Sequence, residues 1–179
     1  MKRILVVAAV ALLTVFVAPI SADEEQEIKV HLVGYQETPL TINTSASADF
    51  TAKIRSDGTA IDYELTYRDL SSPITQSHIH FGRPAITGMI VLFLCTNLTP
   101  PAGVPTPQAC PQTNPAMITG TLTKDNVIPR PAQGIDPGAS GFAEMLQAIR
   151  AGAAYVNVHS TTYPSGEIRA RLGPLGRDH

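Results

Sequence analysis

The chain has no tryptophan, only 5 phenylalanines and 5 tyrosines, only 2 cysteines, and no cluster of lysine and arginine in its 179 residues. Without a basic patch, nucleic acid and anionic membrane surfaces are poor partners, since both bind through concentrated positive charge. No nucleophile elbow, glycine-rich phosphate loop or paired-carboxylate motif occurs, which removes the commonest routes to acyl, phosphoryl and glycosyl transfer. Long apolar runs are also missing, with one exception. Ile4 to Val17 is almost unbroken apolar sequence, preceded by Lys2-Arg3 and followed by Pro19-Ile20-Ser21-Ala22 and the acidic Asp23-Glu24-Glu25. A short basic start, an apolar centre below the ~20 residues of a spanning helix, and a small residue before a polar stretch predict a secretory signal peptide over residues 1–22. Cleavage after Ala22 leaves a domain over residues 23–179 with 11 basic against 15 acidic residues, a formal charge of −4. That length is enough for one hydrophobic core. A periplasmic or secreted protein with no membrane attachment after cleavage is the expectation.

Export gives the two cysteines a default. Cys95 and Cys110 bracket a segment with four prolines, and in an oxidising compartment one disulfide is expected. A thiolate metal site is disfavoured, because the spacing is not C-x-x-C and the histidines are distant in sequence.

What the chain does have is alternation. Ile28, Val30 and Leu32 share one face of a first strand. Ala46, Ala48, Phe50, Ala52 and Ile54 alternate with polar residues, Asp57-Gly58 supplies a hairpin turn, and Ile61, Tyr63, Leu65 and Tyr67 return. These are half-buried antiparallel strands. Ile74–Phe81 follows, then Met89–Cys95, which lacks a polar face and is expected at the centre of a sheet. Met117 to Lys124 is another strand, and Asp125 to Gly138 reads as loop. One helix carries Phe142, Leu146 and Ile149 at core-facing spacing, with Ser140 as its cap and Gly152 as its stop. Ala154 to Ser160 and Glu167 to Leu172 end the pattern, with Glu167, Arg169 and Arg171 facing outward. The fold class predicted is all-β, a Greek-key antiparallel β-sandwich or barrel of about eight strands with one short helix; 15 prolines and no tryptophan fit short strands joined by turns.

Besides His31 on the polar face of the first strand, two later strands carry three of the five histidines. His78 and His80 are two apart in Ser77-His78-Ile79-His80-Phe81, so they project side by side while Ile79 enters the core. His159 ends Tyr155-Val156-Asn157-Val158-His159, on the face opposite the valines. If these strands are neighbours, three imidazoles converge on one surface patch, a donor set suited to copper first and zinc second. Tyr163, Glu64 or His31 are candidates for a fourth position beside water. Glu167 is a candidate to accept a hydrogen bond from a histidine, Arg169 to attract an anion, and Asn157 to orient an imidazole; plain surface roles for these residues remain equally open.

The stretches His78-Ile79-His80-Phe81-Gly82, Phe142 to Gly152 running into Tyr155-Val156-Asn157-Val158-His159, and Tyr163-Pro164-Ser165-Gly166-Glu167-Ile168-Arg169 together resemble the CHRD (chordin-type) domain family. The resemblance spans about Ile28 to Gly173 and implies an extracellular domain; animal members bind signalling ligands, and bacterial members are exported. His78, His80, His159 and Arg169 are also similar to the copper ligands and arginine of copper/zinc superoxide dismutases. The further loop histidine and the zinc cluster of those enzymes have no counterpart here. The resulting expectation is binding, buffering or delivery of a metal ion rather than turnover. A metal-free domain recognising an extracellular or periplasmic protein is the first alternative, and a dismutase-like oxidoreductase the second.

Overall fold

The structure, a computed structural model, describes residues 25–173. The signal peptide expected over residues 1–22 and His179 lie outside the described residues. Eight strands follow in chain order: β1 (Gln26–Val33), β2 (Ser47–Ile54), β3 (Ala60–Arg68), β4 (Ile74–Phe81), β5 (Met89–Thr96), β6 (Ala116–Thr123), β7 (Ala154–Ser160) and β8 (Ile168–Leu172), with helix α1 (Gly138–Arg150) before β7. All pair antiparallel in a single sheet of order β5-β4-β7-β8-β1-β2-β3-β6, curled until its two ends nearly meet. The all-β expectation holds, in the form of a nearly closed barrel.

Alternation sets the barrel's inside. Ala48, Phe50, Ala52 and Ile54 of β2 face Ile61, Tyr63, Leu65 and Tyr67 of β3 across the register, and all eight are buried. Ile79, Val156 and Val158 continue the core on the other side, where Phe142, Met145, Leu146 and Ile149 of α1 join it. The seam between the ends is stitched by hydrogen bonds. Tyr63 Oη donates to Leu94 O at 2.8 Å, and Gln108 Nε2 donates to Tyr63 Oη at 2.7 Å and to Thr119 O at 2.9 Å. Gly120 of β6 leaves room for that tyrosine: a Cβ there would lie 2.6 Å from its hydroxyl. Gln108 belongs to the proline-rich loop tied by the Cys95–Cys110 disulfide.

Four local expectations are corrected. β5 lies at an end of the sheet order, not its centre. Its apolar character reflects loops that cover the edge: Ile128 N and Arg130 Nε donate to Val91 O and Ile90 O, and Thr96 N donates to Gln108 O. Two register shifts against β4 add extra residues, so Val91, Leu92 and Leu94 are all buried. Ser140 does not cap α1. The helix begins at Gly138, turned in by a φ of 70°, while the Glu144 carboxylate accepts from Asp136 N at 2.8 Å. Residues 125–138 contain parts of two short 3-10 turns, at Lys124–Asn126 and Pro131–Gln133. Glu167 precedes β8, and neither it nor Arg169 is a surface residue: they are 0% and 3% exposed.

Candidate metal centre

β4 and β7 are neighbours, and their register sets His78 opposite Asn157, His80 opposite Tyr155 and Gln76 opposite His159. Facing residues of paired strands share a face. The outer surface of this strand pair therefore carries His78, His80, Tyr155, Asn157 and His159 together, while Ile79, Val156 and Val158 point inward. His78, His80 and His159 each offer a ring nitrogen within 4.8 Å of the others. His78 is central, with ring centroids 4.7 Å from His80 and 4.5 Å from His159. Bonds of about 2.0–2.1 Å to one tetrahedral ion set ligand nitrogens roughly 3.3–3.4 Å apart, so binding draws the rings closer together.

The patch is not on the surface, contrary to expectation. His78, His80 and His159 are 0%, 6% and 5% exposed. Loops from two parts of the chain cover them and are held by site residues: Gly88 O bonds His80 Nδ1 at 2.9 Å and Ile86 O of the same loop accepts from Arg169 Nη2 at 2.9 Å, while Pro164 O bonds His159 Nδ1 at 2.9 Å. Because a carbonyl only accepts, each bonded Nδ1 carries the proton, and the Nε2 of His80 and of His159 keeps its lone pair. This is the arrangement that orients metal-binding histidines. His159 Nε2 and both ring nitrogens of His78 are buried without any hydrogen-bond partner. Such atoms cost about 1–3 kcal/mol each when left unsatisfied.

Electrostatics match this picture. Burial lowers the pKa of all three rings, that of His80 to about 4 from 6.5 and that of His78 well below its usual range, with mutual repulsion adding to the effect on His78 and His80. All are neutral at pH 7 and available as ligands.

Around them, His80 stacks on Tyr155 at 4.4 Å and 8°, and the Arg169 guanidinium lies 3.4 Å from the centre of the same tyrosine ring. Phe93 of β5 meets His78 edge-on at 5.2 Å. Arg169 also donates to Thr38 Oγ1. A cleft of about 290 Å³ reaches Arg169, Arg171, Tyr155 and Glu37, and no histidine lines it.

Sequence reasoning missed Tyr155 and Glu37. Tyr155 was within reach, since it alternates onto the face of Asn157 and His159. Glu37 gave no signal: it sits in a turn after β1 and meets β7 only through the fold. It is 5% exposed, its Oε1 has no partner, and burial pushes its carboxyl up to about 7 against the opposing pull of Thr38 N, Arg169 and Asn157. The remaining candidates fall elsewhere. Glu167 Oε1 accepts from Thr44 Oγ1 at 2.9 Å and Ser71 N at 3.0 Å, tying two loops to the barrel. His31 bonds the Asp49 carboxylate at 2.7 Å on the exposed face of β1 and β2, and Glu64 is exposed on β3. Tyr163 is half-buried beside Pro164, in the turn whose carbonyl holds His159.

A family profile described as the CHRD domain matches residues 28–172, from β1 through the end of β8. No curated protein and no solved structure matches the chain.

Proposed function

The chain belongs to the CHRD domain family, and from that premise we propose that it is an exported protein that binds one transition-metal ion through His78, His80 and His159. The observation that carries this reading is a buried cluster of three neutral imidazoles in which both ring nitrogens of His78 and Nε2 of His159 have no partner, while Nδ1 of His80 and of His159 is fixed by backbone carbonyls. Copper is the preferred ion, with zinc second, because nitrogen donors without thiolate follow the affinity order that places Cu(II) above Zn(II). The disulfide and the apolar start after Met1-Lys2-Arg3 support export to the periplasm or beyond it. Binding, buffering or delivery is favoured over turnover, since the rings are covered and the cleft beside Arg169 does not include them.

The test is metal content. Protein recovered from the exported fraction is expected to hold about one copper per chain, and a His78→Ala/His80→Ala variant to hold almost none. Equal copper in both proteins overturns the site.

A further inference from the structure

The three histidines leave a tetrahedral ion one ligand short, and the coordinates offer a fourth that is neither water nor any residue singled out from the sequence for that position. We propose that Asn157 Oδ1 is the fourth ligand, completing a three-nitrogen, one-oxygen cage for a divalent transition-metal ion. This rests on the three-histidine reading above and deepens it.

The first ground is placement. Asn157 is opposite His78 in the β4–β7 register and two residues from His159 on β7, so its side chain leaves the sheet between ligands on both strands. The residue is 3% exposed, leaving no room for solvent to be the default neighbour of its amide. The second ground is a separation close to the roughly 3.3–3.4 Å between two ligand atoms bonded at about 2.0–2.1 Å to one tetrahedral ion. Asn157 Oδ1 lies 3.2 Å from His80 Nε2. His80 Nδ1 is committed as donor to Gly88 O at 2.9 Å, so in the neutral ring Nε2 is a lone pair. An amide oxygen and an imidazole lone pair then face each other as two acceptors. A shared metal ion turns that repulsion into two bonds.

Rotating the amide by half a turn would put Nδ2 toward His80 instead. Glu37 opposes that arrangement. Its carboxyl interacts with the Asn157 side chain, and Oε1 is buried with no other partner. Glu37 Oε1 is placed to accept from Nδ2, so Glu37 is a positioning residue that turns the oxygen toward the histidines. Gly166 makes that approach possible: a Cβ there, at a φ of 128°, would sit 2.6 Å from Glu37 Oε1.

Co(II) is the probe, because its visible absorption reports ligand number and type. The experiment compares the wild-type chain with Asn157→Ala, Asn157→Asp and Glu37→Gln, measuring Co(II) affinity by competition with a chromophoric chelator and recording each spectrum. Loss of the oxygen in Asn157→Ala is expected to weaken binding about tenfold or more and to alter the visible bands. Asn157→Asp keeps the shape and supplies an anionic oxygen, so binding persists with shifted bands. Glu37→Gln shifts the same bands while leaving the stoichiometry at one. If wild type and both Asn157 variants bind with equal affinity and the same spectrum, Asn157 is not a ligand although the histidine site stands. Binding that survives His78→Ala/His80→Ala removes the site itself, a separate outcome. Should Asn157→Ala fail to fold, the Asn157→Asp spectrum alone decides.

Discussion

At the residue scale, the molecule buries groups that would normally seek water, and the cost of doing so gives the site a pH signature. His80 titrates at about 4 in the folded chain against 6.5 unfolded, and His78 and His159 are lowered as well. A base whose folded pKa is depressed contributes stability above its unfolded value and loses it as pH falls toward the folded one. For His80 alone the contribution at neutral pH is on the order of 3 kcal/mol relative to strong acid. Glu37 works in the other direction: raised from 4.5 to about 7, it favours the folded state below the first value and ceases to as pH rises through the second. Three imidazoles outweigh one carboxyl between these limits. The metal-free protein is therefore expected to melt at a lower temperature near pH 5 than near pH 7, measured by circular dichroism in the presence of a chelator. A flat or inverted dependence would show that the rings are less buried than described.

At the element scale, the sequence made the strands and the helix legible because alternation and helical spacing are local properties. His78, His80 and His159 could be read for the same reason: each lies on a strand where one face is visibly apolar. What stayed hidden was set by partners remote in sequence. Met89–Cys95 looked central because apolar residues fill both faces, yet β5 is an edge strand covered by loops. Arg169 looked exposed because it alternates outward on β8, yet Thr38 and Ile86 close over it from distant turns. Ser140 looked like a cap because it is a serine near a helix start, while the helix begins two residues earlier, after Pro137, with no side-chain cap. The proline-rich loop shows how such remote contacts matter. It supplies Gln108 to the barrel seam, and the disulfide holds it across 15 residues. Replacing both cysteines, as Cys95→Ser/Cys110→Ser, is expected to lower unfolding stability by about 3 kcal/mol in urea melts, the entropy of an open loop of that length. A change below about 0.5 kcal/mol would mean that the seam closes without the covalent tie.

At the scale of the whole molecule, curling one antiparallel sheet into a nearly closed barrel separates two jobs. The inside is packed by Phe50, Leu65, Ile79, Val156 and the face of α1. The histidine cluster lies on the outer side of β4 and β7, beneath turns that reach it through Ile86, Gly88 and Pro164. The outer surface of β1, β2 and β3 is different: Glu27, Lys29, His31, Asp49, Lys53 and Glu64 leave it polar and open, with ion pairs of the exposed kind that contribute little. The same barrel thus presents one solvated face and one roofed face, and only the roofed one gathers imidazoles whose nitrogens lack partners. That contrast can be examined directly by soaking crystals of the protein with copper and collecting anomalous diffraction at the copper edge. The account predicts one strong peak beneath the loops, about 2.0–2.1 Å from a ring nitrogen of each of residues 78, 80 and 159. A peak only at exposed positions such as His31, with those three rings unliganded, would contradict it.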